Sequence, residues 1–261
     1  VKRERKVAFR AALEAGRIQR EKLGLAHKVD YKSAFNLVTE VDRACEELIK
    51  SILEAEFEDD AILAEESGAS RVKSYRRWLI DPLDGTTNFA HSYPFFCVSI
   101  GFEMNGEVVL GVVYNPVSDE LFWAERGGGA FLNDDRLQVS GTKKLGESLL
   151  STGFPPDTRN NHSDNMLEFK TLTSHCHGVR RDGSAALDLC FVAAGRTDGF
   201  WEAGLAPWDI AAGSLIVTEA GGRVSDLAGA DLDLCRGDII ASNGHLHKQI
   251  KAALADIQVK S

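Results

Sequence analysis

The eight residues Asp81-Pro82-Leu83-Asp84-Gly85-Thr86-Thr87-Asn88 carry the densest chemical signal in the chain. Two aspartates three positions apart can reach one site only if the chain turns between them, and Pro82 helps impose such a turn. Magnesium takes carboxylates, a carbonyl and waters in octahedral array, so Asp81, the Leu83 carbonyl and Asp84 form a sensible ligand set. Gly85-Thr86-Thr87 then supplies backbone that can approach an anion, followed by residues able to begin a helix. Free amides at such a start would hold a phosphate beside the metal, giving both halves of a metal-assisted phosphoryl-transfer site. The competing reading is a turn with solvated aspartates.

Three further acidic positions weigh against that competitor. Glu65 follows the apolar run Ile62-Leu63-Ala64, Asp209 follows Pro207-Trp208 at a predicted helix start, and Asp42 closes Thr39-Glu40-Val41-Asp42. Taken singly each reads as structural, because an aspartate at a helix start is usually a cap.

The elements that must position these residues show in the apolar periodicity. Helical spacing predicts a helix up to about Leu25 (Val7, Ala11, Ala12, Ala15, Ile18) and another from Asp42 to Phe57, with a loop or short hairpin over Tyr31 to Glu40 between them. From Ala61 the texture changes to short apolar runs ending in acids, Ile62 to Ala64 and Trp78 to Ile80. Runs at Cys97 to Phe102, Val108 to Tyr114 and Leu121 to Ala124, split by Asn105-Gly106 and Asn115-Pro116, read as a mainly antiparallel meander. Gly127-Gly128-Gly129 reads as a hairpin approach to Ala130-Phe131.

The second half alternates. Strands are expected near Leu149, Val179, Phe200, Val224 and Ile239 to Ala241, and helices over Met166 to Leu172, Ser184 to Ala194, Asp209 to Ala220 and Leu246 to Ile257. Helices and sheets layered together follow.

Length and composition bound the rest. The 261 residues suffice for a large core, and 44% hydrophobic with 26% charged residues is ordinary for a globular protein. A net charge of −9 disfavours nucleic acid as the main ligand. No apolar run reaches the length of a membrane span and no charged-then-apolar leader opens the chain, so no membrane partner and cytoplasmic residence are expected. The five scattered cysteines, without a CxxC pair, read as reduced and mostly buried thiols.

Taken together, these residues resemble the inositol monophosphatase family over essentially the whole chain. Trp78 through Phe89 resembles the family's first signature; Trp208-Asp209-Ile210-Ala211-Ala212-Gly213 through Glu219-Ala220-Gly221-Gly222 resembles its second, about 125 residues on. Ala64 stands where the family commonly has glycine before Glu65-Glu66-Ser67. The resemblance implies a layered α/β/α/β/α sandwich as one catalytic domain over residues 1–261. The N-terminal half (about 1–145) would bear the metal motif and the C-terminal half (about 146–261) Asp209 and the substrate contacts.

It also implies a homodimer, requiring Mg²⁺ at two or three ions per site and inhibited by Li⁺, that hydrolyses a small-molecule phosphate monoester. Glu65, Asp81 and the Leu83 carbonyl would hold one ion; Asp81, Asp84 and Asp209 would hold a second; Glu65 would share a weaker third through water. Thr86, paired with Asp42, would orient the attacking water for in-line displacement without a phosphoenzyme. Gly85 and Thr86 amides would hold the phosphate. Gly183, Ser184, Ala185 and Glu202, with Asp84 and Asp209, would contact the alcohol, favouring inositol phosphate or a similar polyol phosphate.

Fructose 1,6-bisphosphate and histidinol phosphate remain alternative substrates, and a regulatory binding role is the non-enzymatic alternative. An aspartyl-nucleophile phosphatase is the nearest enzymatic rival, but its aspartates follow a DxDGT pattern and here they read DPLDGT. His175-Cys176-His177 and His245/His247 lack further spaced ligands and read as structural or surface residues.

Overall fold

The computed structural model of the protein describes residues 1–25, 29–31, 37–154 and 165–258. In chain order it begins with α1 (Lys2–Lys22), β1 (Val29–Tyr31), β2 (Leu37–Thr39), α2 (Glu40–Glu56), β3 (Ala61–Ala64), β4 (Gly68–Ala69), β5 (Arg76–Asp84) and the short helix α3 (Thr86–Ala90). The meander follows as β6 (Cys97–Met104), β7 (Glu107–Asn115), β8 (Glu120–Glu125), β9 (Gly129–Leu132) and β10 (Asp135–Arg136). The second half runs β11 (Leu149–Thr152), α4 (Met166–Thr173), β12 (Gly178–Arg180), α5 (Ala185–Ala193), β13 (Gly199–Glu202), α6 (Pro207–Glu219), β14 (Arg223–Ser225), β15 (Ile239–Ser242) and α7 (His247–Gln258).

Two sheets dominate. One has the strand order β10-β9-β8-β7-β6-β5-β3-β4 and the other β12-β11-β13-β15-β14. On one face of the larger sheet lie α1 and α2, whose Val7, Ala11, Ala15, Cys45, Ile49 and Leu53 share a core with Trp78, Ile80 and Ile100. Its other face meets α5 and α6, where Leu79, Val113 and Phe122 pack with Leu189, Ile210 and Ile216. The same cluster takes in Phe200, Ile239 and Ala241 of the smaller sheet. The far face of that sheet is covered by α4 and α7 through Leu150, Trp201, Leu172, Leu246 and Ile250. The layers therefore run α/β/α/β/α, the expected sandwich, with α5 and α6 at its centre.

The small apolar side chains of α1 recur about every fourth residue and bury one stripe, which is why a charged helix can lie flat on a sheet. Where a loop or short hairpin is expected around Tyr31 to Glu40, β1 pairs antiparallel with β2; the residues joining them, 32–36, lie outside the described set. The larger sheet departs from a pure meander at one point: β3 runs parallel to β5. That departure places the carboxylates.

Candidate active site

Parallel strands end at the same sheet edge, so β3 and β5 deliver Glu65 and Asp81 side by side, and the Glu65 N–H continues the ladder to the Ile80 carbonyl at 3.1 Å. Side chains alternate along a strand, and a regular β5 would send Asp81 and Asp84 to opposite faces. It is not regular: Asp81 pairs with Ser99 and Asp84 with Cys97, so Pro82 and Leu83 together oppose Val98 alone. This β-bulge, in a strand that continues to Asp84, replaces the turn expected at Pro82. Proline suits the position because it has no N–H to lose from the disrupted ladder. The Leu83 N–H donates to Asp81 Oδ1 at 3.0 Å, and the Leu83 carbonyl oxygen lies 3.1 Å from Thr86 Oγ1.

Gly85 ends the strand at φ 100°, and a Cβ there would lie 2.9 Å from the Phe95 carbonyl oxygen. Only glycine makes this junction without strain. Thr86 then opens α3, and its Oγ1 also lies 2.8 Å from Asp42 Oδ1. Asp42 is the third residue of α2, where its Oδ2 accepts the Thr39 N–H at 2.9 Å in a capping box. The cap and the Thr86 contact thus use different oxygens of one carboxylate. Asp42 is fully buried and stands behind Thr86, not on the cleft wall.

The C-terminal half closes the site. Asp84 Oδ2 accepts from Ser184 Oγ and from the Ala186 N–H, both at 2.7 Å, at the start of α5. A carboxylate is favoured there by the unpaired amides and the helix dipole. Gly183, Ser184 and Ala185 line the cleft as expected, but the Ser184 hydroxyl is engaged with Asp84. Asp209, third residue of α6, has Oδ2 fixed by the Ala206 N–H at 2.7 Å. Glu202 ends β13 with its carboxylate against Gly153, where a Cβ would overlap it.

Glu65, Asp81, Leu83, Asp84, Gly85 and Thr86 from the first half line one cleft of about 670 Å³ together with Glu202 and Asp209 from the second. Burial raises Asp81 well above the usual carboxylate range, and the charges of Glu65, Asp84 and Asp209 raise it further. Burial lifts Asp84 to about 6, against the opposing hydrogen bonds from Ser184 and Ala186. Asp209 is pushed up to about 8 by burial and then by Asp84, and Glu202 to about 8 by burial, Asp209 and Asp84, with Arg181 opposing. Burial also raises Asp42, against hydrogen bonds from Thr39 and Thr86.

Among the described residues no three acidic, histidine or cysteine side chains form a ready-made metal cage. Magnesium does not need one, since it keeps several waters and takes one or two carboxylates with other oxygens. The donor set here is all oxygen: carboxylates that raise one another's pKa plus the Leu83 carbonyl. Such a set fits a hard divalent cation, whose charge would reverse those shifts.

Sequence reasoning missed several residues. Asn88 Nδ2 donates to the carbonyls of Phe95 and Asp182, both at 2.7 Å, stapling α3 to the wall before α5. Arg181, Phe154 and Asp188 also line the cleft. Asn88 lies in the signature segment, but its type suggests no ligation, and the other three carry no local signal. Two of the histidines behave as structural residues: His247 sits buried between Ser225 Oγ (2.8 Å) and Ser242 Oγ (3.0 Å), and His175 Nδ1 lies 2.7 Å from the Thr171 carbonyl. The cysteines are free thiols, with Cys45, Cys97 and Cys190 buried.

The chain is similar to known proteins over nearly its whole length. The profile of the inositol monophosphatase family matches residues 2–260. An inositol-1-monophosphatase of Synechocystis is 49% identical over 95% of this chain and 88% of its own. A Nus factor SuhB of Pseudomonas aeruginosa is 47% identical over 97% of this chain and 94% of its own. The solved inositol monophosphatase of Anabaena superposes with a TM-score of 0.89 at 44% identity, covering 96% of this chain and 94% of that one. This chain belongs to the inositol monophosphatase family.

Proposed function

We propose that the protein is a Mg²⁺-dependent phosphomonoesterase that releases phosphate from myo-inositol monophosphate or a similar polyol phosphate. The observation that carries this reading is the gathering of Glu65, Asp81, Asp84 and Asp209 on one cleft with the Gly85-Thr86 helix start. Glu65, Asp81 and the Leu83 carbonyl would hold one ion, and Asp81, Asp84 and Asp209 a second, with a third weakly shared by Glu65. When bound, the ions lower the pKa of a coordinated water and neutralise charge on the phosphoryl oxygens.

The chain's own groups do the rest. Thr86 Oγ1 can donate its hydrogen bond to Asp42 Oδ1, which turns a lone pair of the hydroxyl toward the cleft to accept from, and so orient, the attacking water. The amides that open α3 hold the phosphate oxygens. Ser184 and Ala186 keep Asp84 aimed into the cleft. Gly183 and Ala185 face the alcohol, and the Glu202 carboxylate, which Gly153 leaves room for, accepts hydrogen bonds from neighbouring hydroxyls.

Residues 1–261 act as one catalytic domain in this reading, because α5 and α6 share their core with both sheets. Lithium sensitivity, a homodimer and cytoplasmic residence complete it. Among the described residues no helix is long and apolar enough to cross a membrane. The relative named Nus factor SuhB favours a second reading in which the chain also serves as a regulatory binding partner.

A panel of phosphate esters compared by kcat/KM with Mg²⁺, with and without Li⁺, tests the substrate. Inositol monophosphates are expected to lead; a lead of about tenfold by histidinol phosphate or fructose 1,6-bisphosphate overturns the assignment.

A further inference from the structure

Glu46 lies one helical turn beyond Asp42 on the same face of α2 and is 3% exposed. Its two oxygens accept from two consecutive backbone amides, Oε2 from the Glu66 N–H at 2.7 Å and Oε1 from the Ser67 N–H at 2.9 Å. Those residues belong to the tight connection between β3 and β4, in which Ala64 pairs directly with Gly68. The connection contains only Glu65, Glu66 and Ser67. A third α2 residue, Lys50, donates to Ser67 Oγ at 2.8 Å.

Charge-assisted bonds to two successive amides fix the direction of a peptide segment, which a single neutral bond does not. Glu65 is bound on both sides: its own N–H joins the ladder at Ile80, and the next two amides are clamped by Glu46. Asp42 meanwhile reaches Thr86 from the same helix. One face of α2 therefore touches both the loop that carries Glu65 and the helix start that follows the aspartates.

We propose that Glu46 is a positioning residue for the metal site, holding the backbone of Glu65 so that its carboxylate faces Asp81 before any cation arrives. The inference rests on the reading of Glu65 as a metal ligand. Groups that orient metal ligands typically change metal affinity by about ten- to a hundredfold when removed.

The test is calorimetric titration of Mg²⁺ into the ester-free full chain, alongside kinetics and thermal unfolding. Glu46→Gln keeps the shape but turns an NH₂ toward one of the two amides. Its expected effect is a rise of about tenfold or more in the Mg²⁺ Kd, with the ester KM at saturating Mg²⁺ within about twofold of wild type. Glu46→Asp, which retains both oxygens on a shorter arm, is expected to fall between Glu46→Gln and wild type. A folded Glu46→Gln protein with wild-type Mg²⁺ affinity overturns the proposal, and so does loss of the fold in both variants, which assigns Glu46 to the scaffold. Glu65→Gln separates the two levels. Wild-type affinity in Glu65→Gln removes the metal reading of Glu65 itself, whereas weakened binding there with normal binding in Glu46→Gln removes only the clamp.

Discussion

Asp84 concentrates the chemistry of a single residue: it faces the cleft, its charge raises its neighbours, and its Oδ2 is tied to Ser184 and Ala186. Asp84→Asn keeps the shape and removes the charge, so kcat is expected to fall by about a hundredfold or more, the scale of losing a catalytic electrostatic group. Undiminished phosphate release by the variant would contradict the metal mechanism. Protonation gives a second handle. A carboxyl whose pKa is raised by folding holds its proton more tightly folded than unfolded. The stability it contributes is complete below the unfolded value near 4 and is lost as pH rises through the folded value. For Asp84 and Asp209 those folded values are about 6 and about 8. The metal-free protein is therefore expected to lose melting temperature between about pH 4 and about pH 8, and added Mg²⁺ to reverse much of that loss. Melting curves in chelator and in Mg²⁺ across this range check it, and a melting temperature that climbs with pH in chelator would refute it. The ligand candidates were legible because hard-cation chemistry restricts residue type. Glu46 and Asn88 were not, because what they do depends on partners far along the chain.

At the scale of elements, β5, α3 and α5 meet at the cleft, and two small residues on its walls, Ser184 and Gly153, make room for the carboxylates. Ser184→Ala removes one of the two donors that aim Asp84 and is expected to weaken Mg²⁺ binding by about tenfold while α5 stays folded, which calorimetry and circular dichroism would register. Gly153→Ala places a methyl where the Glu202 carboxylate lies. Here the expected result is a raised KM for a polyol phosphate with an unchanged Mg²⁺ Kd; an unchanged KM would remove Glu202 from substrate recognition. Element positions followed well from apolar periodicity, since α1 and α2 each bury one stripe and most strands of the larger sheet are bounded by turn residues. The parallel pairing of β3 with β5 and the bulge after Asp81 did not, because strand order and register are settled between segments that sequence patterns describe one at a time.

For the whole molecule, the central layer decides cooperativity. The core shared by α5, α6 and both sheets mixes residues from the two halves, and Asp84 takes hydrogen bonds across that divide. A fragment ending near residue 145 is expected to remain unfolded on its own, whereas the full chain unfolds in one transition, as circular dichroism of each would report. The sandwich was foreseeable from its alternating helices and strands together with the family resemblance. The bulge in β5 has one more consequence. Counted along the chain the two aspartates are three apart, but counted along the ladder they are two apart, the spacing of a DxD motif. The surplus residue changes no facing; it frees the Leu83 carbonyl from the ladder and leaves it at the cleft, where Thr86 reaches it. A chain shortened by that one residue would keep every carboxylate on its proper side and still lack one oxygen, so the sheet's miscount is itself the source of the carbonyl proposed as a ligand.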